Sequence, residues 1–539
     1  MARSYVSPYA IANGDPAQNH WLVEQGLAPW WTYDRLLLSF FRPVSALTHH
    51  VDYALFPDSP VLMHAHSLLW FFAVVYAATL VYRGVLGTTV AAGFAAFLYA
   101  VDHNHGLPVG WIANRNALPA IFFGLLSLRA YQAGRGGSRG AALAGPFLFL
   151  LGLLAGEVTL GALAYMVAYA FTLDEEKPAS RATALAPYLV TVVVWRLVYN
   201  ALGYGARGSG LYLDPVHEPV AFAAALVRRI PLLTLGQMGL PPAEAYYFVA
   251  EGLRPLVYGA AVLGTIVTVV VVWPLARADR VARFWTFGAL LSLPLACTAY
   301  PHGRLLFFVG LGAMALVAIL VRDAFARAAW LPLQPLWHVV AQPYLAATMG
   351  LHAFLSPFLL SLNVCSVATT SGIATRAVPD AMRAVTSPED ELFVLNAPEY
   401  FSVNLIPFFA RLEHRTEPKR LRMLSIGPVP LEVHRKAPNV LDVHFVGGLL
   451  ADPLSQLYRS ARLPMNVGDT VKLEGFTVEV TAVTEDGRPE RASFTFAEPL
   501  ENPRYRFLSW AGETYARFTP PPIGGTVTLS AAHMPFEVG

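Results

Sequence analysis

The first 362 residues read as long apolar runs separated by short polar connections. A helix crosses the hydrocarbon core with about 20 apolar residues, fewer where it meets a cavity or a thin patch. On that measure ten stretches predict membrane spans: 61–82, 85–101, 117–132, 141–155, 158–173, 184–203, 254–275, 284–300, 304–321 and 336–362. The third, fourth and fifth are the shortest for the task. Residues 221–240 are also apolar, but Arg228, Arg229 and Pro231 interrupt them, which predicts an interfacial helix lying on the bilayer. After residue 376 the pattern changes. Leu392 to Leu395 reads as a buried strand, 399–413 as a helix and Leu421 to Ile426 as a second strand. From Thr477 to Val483 apolar residues alternate, Asp486-Gly487 makes a turn, and Ala492 to Phe496 returns. The expected architecture is a polytopic α-helical membrane protein followed by a soluble β-rich (α+β) domain: a short α/β opening, then an antiparallel β unit.

Charge sharpens this division. Only 14% of the 539 residues are charged, against about 25% in an average soluble domain. Half of the charged side chains lie after residue 362. The formal net charge of +2 gives no argument for nucleic-acid binding, and two cysteines exclude a disulfide scaffold or a four-cysteine zinc site. Basic residues mark cytoplasmic connections. They fall at Arg83; Arg135 and Arg139; Lys177 and Arg181; Arg277, Arg280 and Arg283; and Arg322 and Arg327. The other connections, residues 1–60 and everything after 362 then face outward. Three regions follow: an exported segment 1–60, a transmembrane region 61–362 and an extracytoplasmic domain 363–539. Residues 1–60 are polar and carry no signal segment of their own, so either they cross unaided as a translocated tail or, the favoured expectation, a helix lies upstream of residue 1.

No Walker loop, H-E-x-x-H, G-x-S-x-G or C-x-x-C is present. Ionisable residues instead gather at the outward face. His64 and His66 open the first span; Asp102, His103, His105, Asn114 and Arg115 fill the next outward loop. Glu157 sits at a short turn, His302 and Arg304 at another, and His217, Glu218, Glu244, Glu251 and Arg254 in the long loop. Such residues against a bilayer are costly and mark functional sites by default. Each has a plainer reading. Asp102, His103 and His105 could ligate a divalent metal or simply cap a helix and solvate a loop. Arg115 and Arg304 could grip a phosphate with the guanidinium fork or snorkel to the interface. Glu157 could be a base or could orient an arginine. His64 and His66, two apart, do not share a helix face, so at least one is a packing or interfacial residue. His49, His50 and Asp52 resemble a ligand set no better than chance would. The basic run Arg411 to Arg422, interleaved with Glu413 and Glu417, reads as a solvated face.

The order Phe41-Arg42-Pro43, His64-Ala65-His66-Ser67-Leu68-Leu69, Tyr99 to Gly106 and Val109 to Asn116 resembles the GT-C superfamily of polytopic glycosyltransferases. It is most similar to bacterial relatives of the protein O-mannosyltransferases that carry tetratricopeptide tails. Gly156-Glu157 resembles their acidic turn and Gly303 to Leu306 their late arginine motif; no repeat tail is present. The resemblance covers roughly residues 40–325. It implies an inverting sugar transfer from a polyprenyl-phosphate-linked donor to a glycan, lipid or protein acceptor, at the outer face of a bacterial cytoplasmic membrane. It implies phosphate binding by Arg304 and Arg115, with Asp102, His103, His105, Glu157 and His302 lining the centre. Those relatives place a carboxylate just after their first membrane helix, a position this chain does not show; Asp15, Asp34 or Asp52 could substitute. Two other readings remain: a transporter or flippase, and a non-catalytic binder of lipid-linked glycans. Few spans carry ionisable residues, Arg196 being the main exception, and no internal repeat is present, which weighs against a transporter.

Overall fold

The computed structural model describes residues 9–533, apart from the side chains of residues 251 and 368–375. The chain divides into two compact units. The first holds the chain up to Ala10, Phe40–Tyr204 and Glu218–Ala368; the second holds Ile11–Ser39, Gly205–His217 and Thr369–Gly539.

The first unit is helical. Its helices are α2 (Pro43–Leu55), α3 (Pro60–Leu86), α4 (Val90–Ala100), α5 (Ala117–Arg135), α6 (Arg139–Ala155), α7 (Leu160–Thr172) and α8 (Pro178–Ala201). They are followed by α9 (Pro219–Met238), α10 (Arg254–Ala278), α11 (Arg280–Ala296), α12 (Phe307–Ala326), α13 (Pro335–Met349) and α14 (Ser356–Arg383). A single π-helical segment, Gly350–Leu355, joins α13 to α14. Proline opens α2, α3, α8, α9 and α13, where its missing N–H costs nothing. Ser59, Thr89, Ser138 and Asp279 cap their helices through side-chain oxygens.

Helix α12 lies at the centre of this unit, buried along nearly its whole length. Neighbours reach it through glycines. A Cβ on Gly161 would lie 2.5 Å from the Phe308 ring, and one on Gly312 would lie 2.6 Å from the Tyr165 hydroxyl. Small residues of this kind let helices approach closely where no hydrophobic drive separates helix from lipid. The buried Tyr165 hydroxyl donates to the Phe308 carbonyl at 2.6 Å.

Among the described residues, six helical segments are long and apolar enough to cross a membrane: α3, α8, α9, α10, α12 and Pro335–Val367. The remaining expected spans, α4 to α7 and α11, are shorter or less apolar, with only 11 residues in α4. The apolar run 221–240 forms a helix, α9, as expected, and it runs unbroken through Pro231. Buried Arg229 donates to the carbonyls of Cys297 and Ala299 at 2.7 and 2.8 Å. No disulfide joins Cys297 to Cys365.

The second unit gathers three separated stretches of chain, so the boundary falls inside the segment 1–60 and not at its end. Strands β1 (Ala10–Asn13), β2 (Leu37–Ser39) and β3 (Gly205–Arg207) form one small sheet. Strand β4 (Glu391–Val394), helix α15 (Tyr400–Leu412) and β5 (Arg420–Met423) make a parallel crossover extended by β11 (Tyr505–Ala511) and β12 (Thr514–Arg517). The six-stranded sheet runs β13-β6-β7-β10-β9-β8, from Thr526–Leu529, Leu431–Ala437, Val440–Phe445, Pro489–Phe496, Phe476–Val483 and Thr470–Leu473, and is antiparallel throughout. The alternating run 477–483 lies in β9, and its turn at Asp486-Gly487 leads into β10 as the pattern predicts. Helix α1 (Pro16–Glu24) and the loop after it enter the same core. Trp30 donates to the Leu424 carbonyl at 3.0 Å, and Glu24 holds the buried Arg422 at 2.7 Å. Arg422 thus departs from the solvated-face reading. Arg411, Arg415 and Lys419 conform to it, pairing at the surface with Glu417, Glu413 and Glu389.

Candidate active site

The predicted residues occupy three linked groups in the helical unit. The first forms where two tight turns meet. After α4 the chain turns through Asp102 to His105, and ahead of α12 it turns through Gly303–Leu305. Asp102 caps its own turn, accepting from the Asn104 backbone N–H and side-chain amide at 3.0 Å each. Its other oxygen accepts from Gln237 at 2.8 Å. Asn104 packs directly on Gly303, where a Cβ would stand 2.4 Å from the amide oxygen. Gly303 N–H donates to Glu244 at 3.0 Å, and His302 accepts from the Arg304 N–H at 3.2 Å. Arg304 leans over the Tyr300 ring at 5.6 Å. Among the described residues no carboxylate pairs with its guanidinium, and its buried Nε has no partner.

His103 is buried, with Nδ1 3.0 Å from the Ser356 hydroxyl. His105 is equally buried but belongs to a packing cluster, its ring stacked 4.0 Å from Phe307 and edge-on to Tyr99 at 4.6 Å. Burial lowers His105 and His302 to about 4 each, so both are neutral near pH 7. Burial opposes the Asp102 carboxylate, but the surrounding imidazoles of His105, His352 and His103 and the Gln237 amide outweigh it and draw its pKa below the usual carboxylate range.

The second group centres on Arg42. Its guanidinium donates twice to Glu157, at 2.9 and 2.8 Å, and lies over the rings of Phe40 and Tyr9 at 4.5 and 5.2 Å. The Tyr199 hydroxyl donates to the other Glu157 oxygen at 3.2 Å. Tyr9 also meets His49 at 2.9 Å. Burial pushes the Tyr9 phenol up to about 12 and, with the Arg115 charge, draws His49 down to about 4. This geometry is compatible with both roles expected of Glu157, a base and a partner that orients an arginine.

The third group is sealed. Arg115 is wholly buried, and its guanidinium pairs with Asp52 and donates to Ser67 Oγ at 2.8 Å and the Met63 carbonyl at 2.6 Å. His66 Nδ1 lies 2.5 Å from Asp52, while the Trp70 indole donates to His66 Nε2 at 3.0 Å. Asp52 is thus more than a chance member of a histidine-rich run. Asn116, next to Arg115, accepts from Arg42 Nη1 at 3.1 Å, which joins the second group to the third. His64 is exposed. His217 lies in the β-rich unit, paired with Asp214 at 2.9 Å. The Glu251 side chain lies outside the described residues.

No family model and no curated protein matches this chain. The fold has solved neighbours. One is ArnT from Cupriavidus metallidurans, bound to undecaprenyl phosphate: 15% identity, TM-score 0.37, with 77% of this chain and 86% of that chain covered. Another is the archaeal oligosaccharyltransferase AglB from Archaeoglobus fulgidus, in complex with an inhibitory peptide and a dolichol-phosphate. There the identity is 12%, the TM-score 0.35, and the coverage 76% of this chain and 60% of AglB. Neither is a protein O-mannosyltransferase, so that finer resemblance stands on the sequence motifs alone. With TM-scores this low, the functional reading stands on the residues of this chain.

Sequence reasoning missed three contributors. Tyr199 and Gln237 sit within apolar helices and carry no motif. His352 lies in the last expected span, where a histidine in an apolar run reads as packing. Asp52 was named as a possible substitute carboxylate, but nothing marked Arg115 as its partner 63 residues on.

Proposed function

We propose that this chain is an integral-membrane glycosyltransferase that moves a sugar from a polyprenyl-phosphate-linked donor to an acceptor at the outer membrane face, inverting the anomeric centre. The observation that carries the reading is Arg304: a guanidinium without an anionic partner among the described residues, held on a turn locked against the Asp102 turn. A guanidinium fork suits phosphate oxygens and stabilises charge that grows on a departing phosphate. In the proposed step an acceptor hydroxyl attacks the anomeric carbon, and the carbon–oxygen bond to the lipid phosphate breaks with its electron pair. The acceptor proton passes to a carboxylate. Glu157, with its side chain 29% exposed, is the carboxylate open to an acceptor, and Arg42 and Tyr199 orient it. Asp102, His103, His105 and Arg115 act as positioning residues that hold the turns, and His302 sets the Arg304 backbone. A general base contributes about 10²–10⁴-fold to such a step.

The orientation finds support in the second unit. Its three stretches, 11–39, 205–217 and 369–533, pack as one body, so all lie on one side of the bilayer and the crossings between them are even in number. Among the described residues, two of the helical segments able to span, α3 and α8, lie between the first two stretches, and four, α9, α10, α12 and the α13–α14 segment, between the second and third, both even numbers. With the basic residues at the opposite connections, this favours an extracytoplasmic β-rich unit in a bacterial cytoplasmic membrane.

Arg304→Ala is expected to abolish transfer from a polyprenyl-phosphate sugar while the protein stays inserted and folded, checked with labelled donor in proteoliposomes. Wild-type turnover by that variant would refute the phosphate role. Tight donor binding without any turnover by the wild-type chain would instead identify a glycan-binding protein.

A further inference from the structure

Asp102, His103 and His352 place one ligand-type atom each within 4.8 Å of one another, and no other such group occurs among the described residues. Two of them come from the turn after α4. The third comes from the π-helical segment between α13 and α14, a kind of distortion found mostly as short insertions at functional sites. The turn and the last span are pressed together. A Cβ on Gly106 would lie 2.5 Å from the Asn363 side chain, and Asn363 donates to the His103 carbonyl at 3.0 Å. The His103 and His352 rings stack 6.4 Å apart.

Charge and unfilled bonding capacity point the same way. Asp102 is 0% exposed, and its three hydrogen bonds all come from neutral amides. No arginine or lysine pairs with it among the described residues. Buried carboxylates are normally paired with a cation or bound to a metal. His352, likewise 0% exposed, has neither ring nitrogen in a hydrogen bond, although the Gln237 backbone lies beside the ring. His103 Nε2 and the Gln237 side-chain oxygen are also buried without partners.

We propose that Asp102, His103 and His352 bind one divalent metal ion, zinc by its chemistry, in a buried site of three protein ligands that ties the Asp102 turn to the last membrane span. Two imidazoles and one carboxylate suit zinc, whereas magnesium and calcium select all-oxygen shells. The ion balances the buried carboxylate and gives His103 Nε2 and a His352 ring nitrogen the partner they lack among the described hydrogen bonds. Zinc ligands at about 2.1 Å stand roughly 3.4 Å apart, so the three side chains close inward on binding. Since all three are at most 1% exposed, the ion serves the architecture and does not meet substrate. His105, the other histidine of the sequence-level ligand set, is excluded by its place between Phe307 and Tyr99.

The inference is independent of sugar transfer, and its test needs no donor. Untagged full-length protein in lipid nanodiscs is dialysed against micromolar zinc, then against zinc-free buffer, and its metal content is measured by mass spectrometry. About one zinc per chain is expected for the wild type and for the exposed-site control His64→Gln, with loss in His352→Gln and Asp102→Asn. Stripping with a strong chelator should lower the melting temperature of the wild type, and zinc but not magnesium should restore it. If the variants fail to insert, this chelator-and-zinc pair on the wild type decides alone. A wild type that retains no zinc, or whose melting ignores both chelator and zinc, overturns the proposal.

Discussion

Arg115 separates a structural guanidinium from a phosphate-binding one. In Arg115→Met the methionine keeps much of the stem volume but removes the charge, leaving the Asp52 carboxylate, 1% exposed, with only His66 at 2.5 Å. Removing one member of a buried ion pair costs about 3–5 kcal/mol. The Ser67 hydroxyl and Met63 carbonyl also lose their donors, which keeps the expected cost in that range and not below it. For a unit of this size each kcal/mol moves the melting temperature by about 2–4 °C, so the fall should be roughly 6–20 °C. The assay is the fraction remaining monodisperse after heating in nanodiscs at a fixed rate, since such proteins unfold irreversibly. Arg115→Met/Asp52→Asn, which removes both charges, should recover most of the loss, because the stranded carboxylate carries most of the cost. If Arg115→Met melted like the wild type yet lost affinity for the lipid-phosphate donor, the guanidinium would be serving a ligand and the reasoning would fail.

Gly303→Ala forces a Cβ to within 2.4 Å of an Asn104 amide already held by Asp102 and the Gly236 carbonyl. It should cost about 1–3 kcal/mol and weaken donor binding, read by thermal melting and by lipid-phosphate titration. In the β-rich unit, Gly26→Ala meets both a positive φ of +71° and the Leu421 carbonyl 2.2 Å from its Cβ. Limited proteolysis should then cut between 369 and 533 far faster than in the wild type; unchanged cutting would detach 11–39 from that core. Acid should destabilise the helical unit. His49, His105 and His302 hold pKa values of about 4, against about 6.5 for a free imidazole. The unfolded chain therefore binds more protons as pH falls from 6.5 toward 4, and stability drops on the order of 1 kcal/mol per pH unit per group. Melting that stays flat from pH 7 to pH 4.5 would contradict this, and His302→Gln should soften the slope.

Much of the architecture was legible because burial in lipid and burial in a β core write different periodicities. The alternating run in β9 and the apolar run of α12 fall where the pattern put them. Helix α9 was harder to read, since a buried arginine that caps the end of another helix looks, in one dimension, like a break. The split of residues 1–60 between the two units was not legible. Trp30 belongs to a core completed by Leu424, and no local pattern encodes a partner at that distance. At the site, the turns carrying Asp102, Glu157 and Arg304 announced themselves by polar residues in short connections. What the sequence hid was pairing. Nothing distinguishes Arg115, sealed by Asp52, from Arg304, which has no such partner, until the chain is folded.

The discontinuous build of the β-rich unit has a consequence for biosynthesis. Trp30 leaves the ribosome 394 residues before the carbonyl that its indole bonds. At about 5–20 residues per second, that gap lasts roughly 20–80 s. Throughout it the early stretch, with Trp30 lacking its core partners, waits while the membrane helices are inserted. Nascent chains of this protein therefore present a long-lived, half-built edge that a chaperone must shield. A nonsense mutation near the 3′ end of the gene would unfold the residues made first.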